Sequence, residues 1–333
     1  RTAFAFFSGN PISRQPGCEP SQPDYMCHRR SLWRRPRAMA YLPLIVIIGP
    51  TAVGKSAVAL FLAERLQGEI VSADSRQVYR GMDIGTAKPT PAERARVPHH
   101  LLDLVNPDQV LTLAEYQSLA YAAIADIHHR GHLPFLVGGS GLYVRAVTDG
   151  LLIPRVPPDA TLRAQLEAEA RRDGAAALHE KLRQRDPVAA ARINARNMRR
   201  VIRALEVCLT TGRTASEQQV RQPPPYRILR LGLTRPRPIL YQRIDRRIDE
   251  MLAMGLVEEV RDLMARGYSL TLPALTGVGY RQIGAYLLGR CTLAEAVGAM
   301  RNATRRFVRQ QSNWFRSDEP TIRCYDLEET PLA

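Results

Sequence analysis

The stretch Gly49-Pro50-Thr51-Ala52-Val53-Gly54-Lys55-Ser56 constrains this chain more than any other. It follows the apolar run Leu44–Ile48 and opens a helical pattern from Lys55 to Gln67 that stops at Gly68. Strand, glycine-bearing loop and helix start are the context that a G-x-x-x-x-G-K-[ST] pattern requires. The glycines let backbone N–H groups curl around an anion, and the helix N-terminus adds partial positive charge. Lys55 offers a cation to phosphate, and the Ser56 hydroxyl offers a ligand to Mg²⁺. The bland alternative is an ordinary glycine-rich turn between strand and helix. The pattern points to a phosphate or pyrophosphate site; which phosphate it takes has to come from elsewhere in the chain.

The balance of charge narrows the partner. The 333 residues carry 47 Lys and Arg against 32 Asp and Glu, a net charge of +15. That favours nucleic acid, or second an acidic membrane surface, although GC-rich coding also inflates arginine. No run of 18 uncharged apolar residues is present, so no transmembrane helix is expected. The five cysteines, Cys18, Cys27, Cys208, Cys291 and Cys324, are scattered and lack C-x-x-C spacing. Neither a disulfide framework nor a zinc site is indicated, which fits a reducing cytosol and a cytoplasmic location.

Residues 1–38 read differently from the rest. They start with Arg1, hold Pro11, Pro16, Pro20, Pro23 and Pro36, and show no periodicity. They are expected to be a disordered or non-native extension, with a transit peptide or RNA-binding arm as the alternatives. From Leu44 the pattern alternates. Strands are expected at 44–48, 69–72, near 100–104 and at 133–138, and helices at 55–67 and 114–130. This is the signature of a parallel sheet with crossover helices. Residues 159–221 then lose strand character and read as amphipathic helices at 159–172, 175–185 and 196–211, with a possible capping box at Thr214-x-x-Glu217. A strand returns at Ile228–Thr234, and helices follow at 238–254, 256–266, 280–288 and 292–316. The fold class is therefore α/β, a P-loop-type parallel sheet core over 39–152 and 227–333, with a helical insertion domain over 153–226.

Three further groups of residues carry chemistry. Ser72-Ala73-Asp74-Ser75-Arg76-Gln77-Val78-Tyr79 follows the second strand, so Asp74 sits at the sheet edge where α/β proteins place ligands. A carboxylate there can hold Mg²⁺ through water or accept a proton; the competing reading is a loop Asp capping its own turn. Gly138-Gly139-Ser140-Gly141 follows another strand and permits close backbone approach to a ligand, or is a plain turn. Arg301, Arg305 and Arg309 recur every four residues on the last helix, near Arg306, Gln310, Gln311, Trp314 and Arg316. Arg199, Arg200 and Arg203 form a second basic group. Both suit RNA phosphates and splayed bases, and both equally suit solvated helix faces. His99-His100 and His128-His129 lack the i, i+4 spacing of a helical metal site and read as structural or surface histidines.

With these motifs in order, the chain resembles the tRNA dimethylallyltransferase (tRNA isopentenyltransferase) family. The resemblance rests on Gly49–Ser56, on Asp74–Pro89 and on Pro98–Asp103. It also rests on Gly138–Tyr143, Arg203–Val207, Gly279-Tyr280-Arg281-Gln282 and Arg309–Arg316, and spans roughly 40–320. It implies that dimethylallyl diphosphate lies in the phosphate loop. Adenine 37 in the anticodon loop of tRNAs reading codons that start with U would flip into a channel, and its N6 would attack C1 and expel diphosphate. Lys55, the loop amides, Mg²⁺ at Ser56 and a further arginine would stabilise the departing charge. The family's arginine falls in the motif matching Leu240–Ile244, which nominates Arg243. Asp74 matches the family's general base, and Ser140 stands where the family usually has Thr, with the hydroxyl kept.

The same resemblance implies that the tRNA anticodon stem-loop is contacted by Asp74, Ser75, Arg76, Gln77, Ser140, Arg163, Arg199, Arg200, Arg203, Gly279, Tyr280, Arg281, Arg305, Arg309, Gln310, Trp314 and Arg316. The family often has Arg where this chain has Thr276, which puts one such contact in doubt. No zinc-finger extension follows residue 320, so the likeness is to the compact bacterial form, a monomer without a membrane partner. The rival readings are a P-loop small-molecule kinase, an isopentenyltransferase acting on free adenine nucleotides, and a non-catalytic RNA-binding module. The first leaves Asp74–Pro89 unexplained, the second the basic insertion and last helix, the third the complete phosphate loop.

Overall fold

The structure, a computed structural model, describes residues 41–154, 156–218, 222, 224–311, 314 and 319–330. The expectations for residues 1–38 and for Arg316 lie outside the described residues. The first half runs β1 (Leu42–Ile48), α1 (Lys55–Arg65), β2 (Gly68–Ser72), α2 (Pro91–Arg96), β3 (His99–His100), α3 (Leu113–His129), β4 (Leu133–Gly138) and α4 (Gly141–Thr148). Five helices follow without a strand: α5 (Ala160–Asp173), α6 (Ala175–Arg185), α7 (Pro187–Arg192), α8 (Met198–Thr211) and α9 (Ala215–Gln218). The chain then returns through β5 (Tyr226–Thr234), α10 (Arg237–Ala253), α11 (Leu256–Ala265), α12 (Tyr280–Leu287), α13 (Leu293–Gln311) and β6 (Ile322–Asp326).

The strands form one parallel sheet in the order β3-β2-β4-β1-β5-β6. β1 is central because its residues are apolar without alternation, the pattern of a strand covered on both faces. Ile45 stands between Phe135 of β4 and Leu229 of β5. The strand expected near 100–104 shrinks to His99–His100, because Leu101 and Asp103 take left-handed φ of 63° and 56° and turn the backbone out of the sheet. The turn lets Asp103 accept from buried Lys88, whose ammonium also reaches Asp83 and the Tyr79 carbonyl. The long Asp74–Pro89 run is thus closed on its own lysine.

Local chemistry starts the helices. Thr90 with Glu93, Thr112 with Glu115 and Thr292 with Glu295 form capping boxes for α2, α3 and α13. Asp159, Asp186 and Asn197 cap α5, α7 and α8 through their side chains. One apolar core lies around the sheet, with Phe135, Ile47, Tyr116 and Tyr280 fully enclosed. A second, separate core joins Leu166, Leu178, Leu182, Val201 and Leu205 of the five helices.

At the opening of β2, Glu69 is nearly sealed from water and its carboxylate accepts from Arg130, His100 and His132. Burial pushes the carboxyl up, and these hydrogen bonds outweigh it, holding the group at about 2 against its usual 4.5. A carboxyl that titrates lower when folded stabilises the fold above its unfolded value and loses that contribution as pH falls through the folded one. The melting temperature is therefore expected to hold steady above pH ~5 and to fall between about 4.5 and 2, with a loss on the order of 3 kcal/mol. Calorimetry of Glu69→Gln across that range should show a flattened acid limb; an unchanged limb would place the acid sensitivity elsewhere.

Candidate active site

Four neighbouring strands deliver their C-terminal ends to one edge of the sheet. β1 runs into Gly49–Ser56, β2 into Ala73-Asp74-Ser75, β4 into Gly139-Ser140, and β5 into Arg235. The Ala73 carbonyl accepts from the Ser140 amide at 3.2 Å, which ties the β2 and β4 loops together. Ser140 Oγ accepts from the Ser75 amide at 2.9 Å and donates to Ser75 Oγ at 3.2 Å. Asp74 Oδ1 accepts from the Arg76 amide at 2.8 Å. Asp74 does cap its own turn, and the cap fixes its carboxylate at the start of the β2 loop.

Within the phosphate loop, Lys55 Nζ donates to the carbonyls of Gly49 and Pro50 at 3.0 and 2.9 Å. Burial and the Arg247 guanidinium depress this ammonium to about 8, against an upward pull from Asp74. Two arginines hold the outer carbonyls of the loop. Arg243 Nε donates to Ala52 at 2.7 Å, and Arg235 Nε donates to Val53 at 2.9 Å. Arg243 therefore braces the loop from outside. Arg247, one turn further along α10, is the guanidinium that feels both Asp74 and Lys55; burial lowers it and Asp74 pulls it back up. The resemblance nominates Arg243 and not Arg247, which stands at i+4 from it. The i, i+4 repeat was the available signal, since both lie on one face of the helix.

Gln311, grouped in sequence with the RNA-facing side chains of the last helix, turns inward at the end of α13. Its Oε1 accepts from the Thr51 amide at 2.9 Å and from Thr51 Oγ1 at 3.1 Å, and its Nε2 donates to the Gly139 carbonyl at 3.1 Å. Exposed Gln310, singled out beside it, points the other way. Trp314 lies against the β4 loop, where a Cβ on Gly141 would stand 2.5 Å from its ring. Behind Asp74, Tyr116 and Tyr143 stack at 3.7 Å, and burial raises both phenols.

The remaining residues expected to touch RNA divide into several groups. Tyr280 is a correction: it is buried, and its hydroxyl donates to Glu259 at 2.6 Å, so its ring belongs to the core. Gly279 sits at the start of α12, its amide donating to Gln282, and Arg281 is exposed. Arg76 donates to the Pro273 and Ala274 carbonyls, and Gln77 bonds Ser72 and the carbonyls of Thr86 and Ala87. Both therefore hold the loop that carries Asp74. Arg163 and Arg203 share fully buried Glu206. Arg305 pairs with Asp245 at 2.6 Å across α10 and α13, whereas exposed Arg309 donates to the Tyr241 hydroxyl. Arg199 and Arg200 open α8 and face solvent.

The basic residues should accordingly respond differently to substitution. Arg199→Gln or Arg200→Gln should flatten the salt dependence of RNA binding by about one phosphate contact each. Arg203→Gln and Arg305→Gln should instead lower the melting temperature. Salt titration with parallel thermal melts checks this; equal slopes for all four variants would refute the division.

Residues 77–318 match the IPP transferase family. A tRNA dimethylallyltransferase of Roseiflexus sp. (strain RS-1) is 57% identical over 83% of this chain and 90% of its own length. One of Dehalococcoides mccartyi is 50% identical over 86% and 89%. Among solved structures, the tRNA isopentenylpyrophosphate transferase of Bacillus halodurans is 44% identical with a TM-score of 0.63, covering 86% of this chain and 90% of that one. A eukaryotic dimethylallyltransferase acting on tRNA is 26% identical with a TM-score of 0.72, covering 86% and 74%. Sequence, sheet order and the loop-borne residues at its edge converge: the chain belongs to the IPP transferase family, that of the tRNA dimethylallyltransferases.

Proposed function

We propose that this chain transfers the dimethylallyl group from dimethylallyl diphosphate to N6 of adenine 37 in the anticodon loop of tRNAs reading codons that start with U. The observation that carries this reading is the meeting, at one edge of the sheet, of the phosphate loop with Lys55 bonded to its Gly49 and Pro50 carbonyls and the Asp74 loop tied to Ser140. Two cations there face the departing diphosphate, and one carboxylate faces the incoming amine. As N6 bonds to C1, the C1–O bond breaks, diphosphate leaves with the bonding pair, and Asp74 takes the N6 proton. The exocyclic amine is a poor base, so the proton leaves as the bond forms. Lys55 and Arg247 stabilise the leaving charge, and the Gly54 to Ser56 amides open α1 toward it.

Among the described residues no group of three or more His, Cys, Asp or Glu could hold a metal ion. The donors that are present, the exposed Ser56 hydroxyl and a nearby carboxylate, suit Mg²⁺, which keeps waters and binds mainly through substrate phosphates. Bound there, Mg²⁺ would neutralise diphosphate charge. No described helix is long and apolar enough to cross a membrane, and a monomeric cytoplasmic enzyme fits the reading.

The deciding assay combines the protein, Mg²⁺ and labelled dimethylallyl diphosphate with tRNA or AMP. Label on tRNA supports the proposal, while label on AMP, ATP turnover or RNA binding without transfer each selects a rival. Lys55→Ala should weaken diphosphate binding about 10- to 100-fold, the loss of a charge-assisted hydrogen bond, and also slow transfer. Because the ammonium deprotonates at about 8, affinity in the native protein should stay flat below that pH and fall above it. Isothermal titration from pH 6 to 9 checks this; a Lys55→Ala variant that keeps the same pH dependence would remove Lys55 from the binding role.

A further inference from the structure

Among the described residues, the side chain that ends the last helix hydrogen-bonds to the catalytic loops. Gln311 spans two of them, accepting from the Thr51 amide and hydroxyl and donating to the Gly139 carbonyl. It is buried, while its helix neighbours Arg306, Arg309 and Gln310 are exposed. Three residues on, Trp314 packs on Gly141 of the same β4 loop. The fit around Gln311 is tight, since a Cβ on Gly139 would stand 2.5 Å from its Nε2. Thr51 precedes the helix-opening amides of the phosphate loop, so the position of Gln311 sets where that loop starts its curl. Gly139 precedes Ser140, whose hydroxyl holds Ser75 beside Asp74. One amide side chain therefore registers the diphosphate loop, the Asp74 loop and the end of α13 against one another.

We propose that Gln311 is a positioning residue that couples RNA binding on α13 to diphosphate binding in the phosphate loop. This rests on the RNA-acceptor reading above. RNA held along the exposed side of α13 and at Trp314 fixes the helix end, and so fixes Gln311. That in turn holds the Thr51 amide and the β4 loop in the arrangement that receives diphosphate. By linkage the coupling is reciprocal: diphosphate must tighten RNA binding by the same factor. Gln311 touches no reacting atom in this scheme. Its effect is on the free energy shared between two sites, a quantity that a merely structural glutamine would leave alone.

The experiment measures Kd of inorganic pyrophosphate with Mg²⁺ for the full chain, alone and with a saturating anticodon stem-loop RNA, and the converse titration. The native protein should bind pyrophosphate about fivefold or more tightly with RNA present, with the same ratio in the converse direction. In Gln311→Ala that ratio should fall toward one, while RNA affinity without pyrophosphate changes little. Gly139→Ala pushes the amide aside from the opposite loop and should collapse the ratio likewise, so the test survives if one variant fails to fold. Gln311→Glu keeps the acceptor for Thr51 but sets a carboxylate against the Gly139 carbonyl, and should give an intermediate ratio. A ratio of one in the native protein, or an unchanged ratio in both Gln311→Ala and Gly139→Ala, overturns the proposal. RNA that fails to bind the native protein at all overturns the acceptor reading beneath it.

Discussion

Asp74→Asn is expected to lower single-turnover transfer by about 10²–10⁴-fold, the usual contribution of a positioned general base. The substitution keeps the shape and the acceptor for the Arg76 amide, so the β2 loop should stay in place. What disappears is the carboxylate that takes the N6 proton and the negative charge that pulls the Lys55 and Arg247 groups up. Because Asp74 raises the Lys55 ammonium, its loss lets that group titrate lower still. The comparison is therefore best made well below pH 8, where Lys55 is charged in the native protein. Affinity for dimethylallyl diphosphate there should be retained, since removing a carboxylate takes no attraction from an anion. Rapid-quench turnover alongside equilibrium binding separates the two quantities. Near-native turnover in Asp74→Asn would remove Asp74 from the general-base role.

Glu206→Ala is expected to destabilise the five-helix region by about 1–3 kcal/mol, the cost of leaving the part-buried Asp159 amide and two half-exposed guanidinia without their acceptor. Glu206 is fully enclosed and serves the Asp159 amide, both donors of Arg163 and one of Arg203. It also holds the entrance to α5 against the middle of α8, so removing it frees the start of α5. The loss should be local, because the second apolar core of Leu166, Leu178 and Leu205 is distinct from the one around the sheet. Hydrogen exchange should accelerate over α5 and α8 first, and RNA affinity should fall while pyrophosphate affinity holds. Uniform acceleration across the sheet would show that the two cores unfold together.

Much of this architecture is legible in the sequence, and the exceptions have physical causes. The β1–loop–α1 unit announces itself because glycine spacing, apolar run and helix start agree. β4 falls where expected, at Leu133–Gly138, since its run is continuous and bounded by Gly131. α2 was missed although Thr90-Pro91-x-Glu93 carries both a capping box and a first-turn proline. Its six residues hold no buried side chain, so no periodicity marks them. β6 was missed because Ile322–Asp326 is a short edge strand with one buried residue. At the site, the loop residues and Asp74 could be read from motif and topology. Arg247 and the inward turn of Gln311 could not, because what distinguishes each from its neighbours is an interaction across distant segments. The arginine rows misled for the opposite reason. A repeat of four places Arg301 and Arg305 on one face, and that face proves to be sewn to Asp245 and Asp249 of α10.

The sheet order also dictates how the molecule can be made. β1 needs β4 on one side and β5 on the other, and β5 begins only at Tyr226. At ~5–20 residues per second a ribosome leaves that side of Leu42–Ile48 open for on the order of ten seconds or more. The run is apolar and strand-forming, the composition most prone to pair with another nascent chain. During that interval the five helices of the insertion emerge, and their contacts are local enough to form without waiting for the sheet. Capture of β5, and then of β6 beyond α13, closes the exposed edge last. Slow synthesis through 160–225 should therefore lower the yield of native protein, whereas slow synthesis after Asp326 should not.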